Sequence, residues 1–507
     1  MLTHPLAILG VVSGVVLSAS IPRAHASPLF DLSGDTTGSG GLQARTVAGG
    51  SAAAYFNPSL LVDAPAGASL GFMVLNQRIG ISLDGRPGTQ FAIPEGLENA
   101  GHADGSRFDN YAIATNALQY GRMKDGRHAE FAARPRQGAG SGHGTLTYEV
   151  FGLVVKLLDD QLALGLHGMI PNGEFIKMRA FFSDEREQYF SNSLHPELYS
   201  DRMSALSLAV GAGIKLTKNL SLGAGATLGL KASVVAPTYV VDAGHLERIL
   251  IDMNATVNVG VSPHFGVSYA PSDRLHLTAT AHTPEKVELG TSFTFLLASG
   301  IEQSSGVTLV LDYTPWQIGV GGSYDLVKEP DQTLTVAGSL LYAAWSGYVD
   351  RHGATPSAAY AWADTLTPAV GLRYRWSDWC TLLDLTYAAT PVPAQTGRTN
   401  YVDNDRASGS VGADYRFRVL GTDMRVGAQV QVHRLVPRHQ TKARTPTRAD
   451  GANLAPERVK DEVPDDAQIS GEPVASAQGL QTNNPGWPGF ESGGWMLAGT
   501  VYFTLAL

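Results

Sequence analysis

The sequence predicts an all-β fold: a fourteen-stranded antiparallel transmembrane β-barrel. Three observations predict it. Apolar and polar residues alternate with a period of two in fourteen separate runs. The links between these runs are alternately short and long, and an apparent secretion signal precedes them.

The secretion signal occupies the first 26 residues. An apolar stretch over residues 6–20 is followed by Ala24-His25-Ala26, a small-residue cleavage pattern. The alternative, a transmembrane anchor, is less favoured because the stretch is short and the cleavage site is good. We therefore expect 1–26 to be removed and Ser27 to be the first mature residue. Beyond this stretch no run of about eighteen apolar residues occurs, which excludes a helical membrane protein.

The alternation is clearest in two segments. Between residues 220 and 230 one face carries Leu and Ala, and the other carries Ser, Gly and Thr. Between residues 424 and 433, Met, Val and Ala alternate with Arg, Gly, Gln and His. A soluble β-sandwich would show the same pattern, so alternation alone does not separate the two folds. We predict strands near 69–83, 143–158, 161–176, 204–217, 220–233, 256–270, 274–289, 307–327, 332–347, 364–376, 379–391, 407–418, 423–436 and 494–507.

Loop lengths favour the barrel. Six links are tight and polar, and the seven between them are long, the first (84–142) and last (437–493) very long. Outer-membrane barrels have short periplasmic turns and long extracellular loops, whereas a sandwich has no reason to sort its loops in this way. The tight links are 158–160, 217–219, 271–273, 328–331, 377–378 and 421–422.

The remaining segments add detail to this plan. Residues 27–68 do not alternate and are rich in Gly and Ala, which is typical of a small element packed inside or beneath something larger. Residues 243–252 carry a short helical pattern within a predicted extracellular loop. The single Cys380 forbids an internal disulfide and fits no metal-site spacing, and the net charge of −9 gives no reason to expect nucleic acid.

Several stretches resemble the FadL family of outer-membrane channels for long-chain fatty acids and other hydrophobic compounds. Residues 41–45 (GLQAR) and 53–60 (AAYFNPSL) are similar to the family's N-terminal hatch, with Ser59 where Ala is usual in its Asn-Pro-Ala signature. The other similar stretches, in the family's order, are LALGLHGMIP (162–171), FGVSYAPSDR (265–274), TPEKVELG (283–290), PWQIGVGGSY (315–324) and WSGY (345–348).

The resemblance implies a hatch (27–68) that plugs a barrel (69–507) in the bacterial outer membrane. It implies passive uptake of hydrophobic molecules, first of all long-chain fatty acids. The ligand would bind in the lumen, the hatch would rearrange, and a kink in the third strand would let the ligand leave sideways into the membrane. The expected partners are such ligands, outer-membrane lipids and the barrel assembly machinery, and no cofactor is implied.

The candidate functional residues fall into three groups. Asn57, Pro58 and Ser59 form the hatch motif, against the alternative of an ordinary Asn-Pro turn. Pro171, Asn172 and Gly173 could interrupt the third strand's hydrogen-bond ladder and form the exit, or could simply end that strand. Lumen-facing cations could receive a ligand carboxylate, although such residues commonly just solvate a barrel interior. These cations are His276, His282, Lys286, Arg373, Arg375 and Arg425.

Two other functions stay open. An outer-membrane barrel enzyme, for example a lipase, would need a Ser-His pair on the outer rim. A structural or adhesive barrel would bind surfaces through the loops at 84–142 and 437–493. The sequence contains no enzyme motif: residues 266–270 (GVSYA) miss the nucleophile-elbow pattern and lie in the middle of a predicted strand. The expectation is therefore a channel and not an enzyme.

Overall fold

The structure, a computed structural model, describes residues 28–47, 49–84, 139–173, 194–196, 198–199, 202–203, 206–228, 232–241, 248–258, 261–296, 302–350, 353–396, 401–442, 468–469, 472–473 and 489–507. The predicted signal peptide lies outside these residues. So do most of the two very long predicted loops, 84–142 and 437–493.

Fourteen antiparallel strands form one closed barrel, in which each strand pairs with its neighbours along the chain. The ring closes where the first strand pairs with the last, from Gly67 opposite Ala506 to Leu83 opposite Phe490. The predicted fold class is confirmed. The strands are β1 Gly67–Leu83, β2 Ala139–Leu157, β3 Leu162–Pro171, β4 Ser207–Lys215, β5 Leu220–Leu228, β6 Val261–Tyr269, β7 Leu275–His282, β8 Gln317–Glu329, β9 Gln332–Ala343, β10 Thr365–Trp376, β11 Trp379–Ala388, β12 Arg406–Val419, β13 Thr422–Thr441 and β14 Gly489–Ala506.

The six predicted tight links all join barrel strands at the same end of the barrel. Their backbone explains the residues found there. Leu158, Asp159 and Asp160 between β2 and β3 have φ values of 53°, 51° and 64°. Asp tolerates this left-handed region better than most residues, and Gly421 (φ 86°) adopts it freely in the link between β12 and β13. By the loop-length rule this end faces the periplasm.

The outer and inner faces of the barrel have opposite chemistry. Leu70 on β1, Leu497 and Val501 on β14, and Val370 on β10 are at least half exposed on the outside. The inner face carries buried polar side chains instead, among them His264, His282, Arg373, Asp384, Gln429 and Gln431. An apolar exterior around a polar interior is the pattern of a barrel that spans a membrane.

A second, four-stranded sheet was not predicted; along the chain, two of its strands follow β5 and β7, and the other two precede β6 and β8. Prolines mark two of the points where the barrel strands end. Pro284 follows β7 and Pro315 precedes β8, and because proline has no N–H to donate, each interrupts the hydrogen-bond ladder. The single predicted strands 274–289 and 307–327 are therefore each divided between two sheets. In spatial order the second sheet contains Glu302–Thr314, Glu285–Leu296, Arg248–Asn258 and Ala232–Val241.

The predicted helix at 243–252 is wrong over its second half. Residues 248–252 belong to the strand Arg248–Asn258, which is paired on both sides, and residues 242–247 lie outside the described part of the chain. The β-branched Ile249 and Ile251 suit an extended backbone, and pairing with two neighbours outweighs a weak helical periodicity. No helix in the described residues is long and apolar enough to cross a bilayer.

Candidate functional site

The N-terminal segment, here residues 28–66, lies inside the barrel. It contains two short helices, α1 Pro28–Ser33 and α2 Ala53–Phe56, and a 3₁₀-helix, Pro58–Val62. Gly34 adopts a φ of 64° and its N–H donates to the Phe30 carbonyl, which ends α1. Most of the segment is buried, including polar side chains such as Thr36, Gln43 and Asn57. The segment therefore uses the barrel wall as its core.

The predicted hatch motif lies at the beginning of the 3₁₀-helix. The Asn57 side-chain oxygen accepts hydrogen bonds from the Ser59 N–H (3.3 Å) and the Ser59 hydroxyl (2.6 Å). The Asn57 amide donates to the Arg45 carbonyl at 3.0 Å, and Pro58 occupies the first helical position, where it loses no bond. Lys156 on β2 donates to the carbonyls of Leu61 (2.7 Å) and Val62 (2.5 Å) and so satisfies the helix's far end. The Ser59 hydroxyl, which the usual Ala would lack, thus makes a hydrogen bond to the Asn57 side chain.

Glycines of β4, β5 and β6 make room for this part of the segment, and we call these three strands the glycine wall. A Cβ atom at Gly223 would collide with the backbone N of Ser59, and one at Gly266 would collide with the Asn57 side chain. A Cβ at Gly213 would similarly meet the carbonyl of Pro58. Only glycine allows the backbones to approach so closely.

Strands β8 to β13 hold the earlier part of the segment with polar side chains, and we call them the polar wall. Arg373 on β10 and Asp384 on β11 form a buried bidentate ion pair with distances of 2.6 and 3.1 Å. The remaining Arg373 N–H groups donate to the carbonyls of Ser39 and Gly40, and Asp384 accepts from the Leu42 N–H at 2.8 Å. Further contacts in the polar wall are Gln431 to the Ser33 carbonyl, Ser339 to Gln43 and Gln317 to Asp31.

Arg45 connects the segment to β7 and β8. Its guanidinium donates to Asp31 (2.9 Å), to Gln317 (2.7 Å) and to Nε2 of His282 (2.8 Å). Because arginine cannot accept a hydrogen bond, this His282 nitrogen must carry a lone pair. The His282 ring stacks on His264 with a centroid distance of 4.8 Å. Both imidazoles are therefore part of the packing between segment and wall.

A cavity of about 180 Å³ lies on the extracellular side of the segment. Its floor includes Leu42, Arg45 and Phe56. Two polar groups lie near its rim. Burial raises the pKa of Asp403 to about 7, and the Arg406 guanidinium lies over the Tyr199 ring. The walls between are formed by Leu198, Tyr313, Leu341, Ala343, Trp345, Ala369 and Ala388, with Arg202 and several threonines. The cavity can thus hold an apolar body with a polar group at one end.

The predicted exit residues lie where β3 loses one of its neighbours. Pairing of β3 with β2 continues to Pro171 opposite Tyr148, whereas pairing with β4 ends at Met169 opposite Ser207. The Asn172 N–H still bonds to β2, at the Thr147 carbonyl (2.8 Å). A Cβ atom added at Gly173 would meet no atom of the described residues within 4 Å. Within the described residues, the ladder is therefore one-sided at this point, and the exit stays a prediction.

The predicted carboxylate contacts do not form one site. Arg373 and His282 contact the N-terminal segment, as described, and Arg425 lies 3.4 Å from Asp414. His276 and Arg375 lie near the periplasmic end. Lys286 pairs with Glu288 at 2.7 Å in the second sheet, so its predicted position facing the lumen is wrong, because the barrel strand ends before Pro284.

Sequence reasoning missed Asp31, Arg45 and Asp384, which organise the contacts of the segment. Asp384 gave a usable signal: it is a carboxylate between Leu383 and Leu385 in a predicted strand, and so on the lumen face. Arg45 lies in the GLQAR stretch (41–45) that resembles the family's hatch, but its contacts could not be predicted, and Asp31 gave no signal, because the segment has no periodicity to orient either side chain.

The sequence matches no protein-family model and no curated protein. The structure is similar to a crystal structure of a FadL homologue from Pseudomonas aeruginosa, with a TM-score of 0.52, 16% identity and coverage of 96% of this chain and 98% of that one. Lower TM-scores relate it to the toluene transporters TodX of Pseudomonas putida (0.46; 11% identity; 95% and 99% covered) and TbuX of Ralstonia pickettii (0.43; 13%; 95% and 98%). The first similarity confirms the fold that the sequence resemblance implied.

Proposed function

We propose that this protein is an outer-membrane channel for the passive uptake of hydrophobic molecules, in which the N-terminal segment is a hatch. The observation that carries the proposal is a closed barrel whose lumen is filled by its own N-terminal residues below a cavity that both apolar and charged side chains line. A general pore would leave the lumen open to water. A hatch with a cavity above it instead suits a ligand that binds first and then passes.

We propose long-chain fatty acids as the first ligand class. Burial stabilises each methylene group by about 0.8 kcal/mol, so an apolar cavity attracts an acyl chain from water. Arg406 lines the same cavity and could receive a carboxylate, whereas Arg202 there is already paired with Asp312 at 2.7 Å. By volume alone, a cavity of about 180 Å³ accommodates part of an acyl chain or a single aromatic ring, since about 150 Å³ is enough for benzene. The remainder of a long chain must continue towards the wall or the mouth.

We further propose that the ligand leaves sideways beside Pro171. Passage straight into the periplasm would return the chain to water, at about 0.8 kcal/mol per methylene group. The ladder between β3 and β4 ends at Met169 within the described residues, and the proposed gap would open at this point. Proline supplies no N–H that must be given up when this gap widens.

Uptake of a radiolabelled long-chain fatty acid into cells that lack their own carrier tests the proposal. The parent protein should support uptake, and Pro171→Val/Gly173→Thr should reduce it severalfold while the purified variant still binds the fatty acid. Gly338→Ala, whose side chain would meet little, is the matched control. No uptake by the parent would refute the channel, whereas equal uptake by parent and double variant would refute only the lateral exit.

An enzyme is the weaker candidate. The described residues contain Ser-His contacts at Ser408–His433 (2.8 Å) and Ser51–His167 (3.2 Å). All four side chains are buried in the lumen, whereas a lipase would need such a pair at the outer rim. Mass spectrometry of a lipid extract from the purified protein would separate the classes, since a channel should retain unmodified ligand.

A further inference from the structure

Three residues form a row on the outer surface of the barrel, across the seam where the ring closes. Trp495 on β14 lies directly opposite Arg78 on β1 and directly opposite Arg434 on β13. Directly opposed residues of antiparallel strands point to the same face, about 5 Å apart. The Arg434 guanidinium lies over the Trp495 ring, 4.4 Å from its centroid. We call these three residues the Arg-Trp-Arg row.

The row lies at the outer boundary of the apolar surface. Arg78 is eleven residues beyond Gly67, the periplasmic end of β1. At about 3.3 Å per residue and a tilt of 35–45°, that is roughly 25–30 Å of height, and the apolar band of such barrels is about 25 Å tall. The outward residues below the row on these strands are mainly apolar: Leu70, Phe72, Val74, Val430, Val432, Leu497, Val501 and Phe503.

Neither arginine of the row has an acidic partner in the described part of the chain. The outward acidic residue on β14, Glu491, is two same-face positions nearer the rim, or roughly 13 Å along the strand. Asp84, at the end of β1, is engaged by His439 at 2.9 Å. Two arginines therefore flank Trp495 at the membrane boundary, and among the described residues neither has an acidic partner.

We propose that the Arg-Trp-Arg row binds the phosphate-bearing headgroup of an outer-leaflet glycolipid. Guanidinium groups bind phosphate through paired hydrogen bonds, and tryptophan favours the boundary between headgroups and acyl chains. A lipid fits better than free phosphate because the acyl chains would lie on the apolar residues directly below the row. Bound in this position, the lipid would bridge β1, β14 and β13 across the closing seam.

Native mass spectrometry of the detergent-solubilised full chain, titrated with diphosphorylated lipid A, tests this site independently of transport. Arg78→Gln/Arg434→Gln should weaken the tightest lipid adduct at least tenfold, and Arg78→Lys/Arg434→Lys should weaken it less. Arg416→Gln/Arg418→Gln, which removes two charges at the periplasmic end of β12, is the matched control and should bind like the parent. A retained heat-modifiable gel shift shows that each variant is folded.

The remaining arms identify the ligand. Lipid A with both phosphates removed should bind the parent protein weakly, no better than diphosphorylated lipid A binds the Gln double variant. Inorganic phosphate at millimolar concentration should not displace diphosphorylated lipid A from the parent. Equal binding by the parent and the Gln double variant would overturn the site. Tight binding of the dephosphorylated lipid, or displacement by inorganic phosphate, would overturn the assignment to a lipid phosphate group.

Discussion

The glycine wall and the polar wall enclose the same N-terminal segment by different physical means. The glycine wall receives the later half, around Asn57 and Ser59, through close backbone contact that side chains would prevent. The polar wall receives the earlier half, around Ser39 and Leu42, through hydrogen bonds that a buried ion pair of the wall makes to the segment's backbone. The close van der Waals packing at the glycine wall depends little on pH or salt. The polar groups of the polar wall, in contrast, can exchange their hydrogen-bond partners for water. We therefore expect the earlier half to detach first and the later half to remain bound.

The largest effect should come from breaking the buried ion pair of the polar wall. Arg373→Met leaves the Asp384 carboxylate buried without a counter-charge, and such losses cost about 3–5 kcal/mol. We expect this decrease in the free energy of unfolding, measured in urea with lipid vesicles, and a higher leak conductance in planar bilayers. Arg373→Met/Asp384→Leu removes both charges and should recover part of the loss. A double variant as unstable as the single one would show that the charge itself is not the cause.

The next effect should be a pH dependence of the earlier half through Asp35. Burial raises the pKa of Asp35 to about 6 from 3.8, although the Thr37 and Gly40 N–H groups and the charges of Arg373 and Arg425 oppose this. The folded state therefore binds the proton more tightly than the unfolded chain. Its contribution is fully present below pH 3.8 and is lost as pH rises through 6, by about 3 kcal/mol at most.

Leak conductance at pH 5 and pH 7.5 measures this dependence. The parent should leak more at pH 7.5, and Asp35→Asn should flatten the difference because its side chain does not titrate. If the Asn variant kept the parent's full pH response, another group would be responsible.

A smaller effect should follow from adding a methyl group to the glycine wall. Gly223→Ala places a Cβ against the backbone of Ser59, and overpacking of this kind costs about 1–3 kcal/mol. Protease cleavage within residues 53–62 should become faster, because this part can no longer approach the wall. Gly338→Ala is again the control and should be cleaved like the parent. Slow cleavage of both variants would mean that the wall can shift to accept the methyl group.

The smallest effect should come from Ser59→Ala, which restores the residue usual in the resembled family. The variant loses the 2.6 Å hydrogen bond to Asn57 but keeps the backbone bond from its own N–H. The expected loss of stability is about 0.5–1.5 kcal/mol, with uptake close to that of the parent. A loss as large as that for Arg373→Met would show that the Ser59 hydroxyl does more than cap the 3₁₀-helix.

The barrel could be predicted because the alternation within each strand shows which of its residues face the lumen and which face outward. Period-2 alternation orients β5 and β13 without knowledge of their neighbours, and the tight links 158–160 and 421–422 orient the whole ring. The second sheet was missed because alternation alone continued through Pro284 and Pro315. The prolines were visible in the sequence, but a barrel strand that leaves the ring for another sheet has no separate signal.

The site was less predictable because its contacts join distant parts of the chain. The Asn57-Pro58 turn is local, and its interaction with Ser59 spans two residues. The contact of Asp384 with Leu42 spans 342 residues, and that of Arg45 with His282 spans 237. Such pairs depend on how the ring closes, which no local pattern contains. Each basic residue proposed from the sequence as a carboxylate contact was therefore plausible by itself, but the residues that it contacts in the structure could not be predicted.

The pairing of β1 with β14 along all 17 residues of β1 also determines the order in which the molecule can be assembled. The strands that provide Arg373, Asp384 and Gln431 are made late, so the earlier half of the N-terminal segment lacks these polar partners until most of the chain is present. Once β14 has joined β1, the segment is surrounded and can leave only through an open end of the ring. Its tether to β1, only four residues after Val62, keeps any released segment near the periplasmic rim, from which it can return.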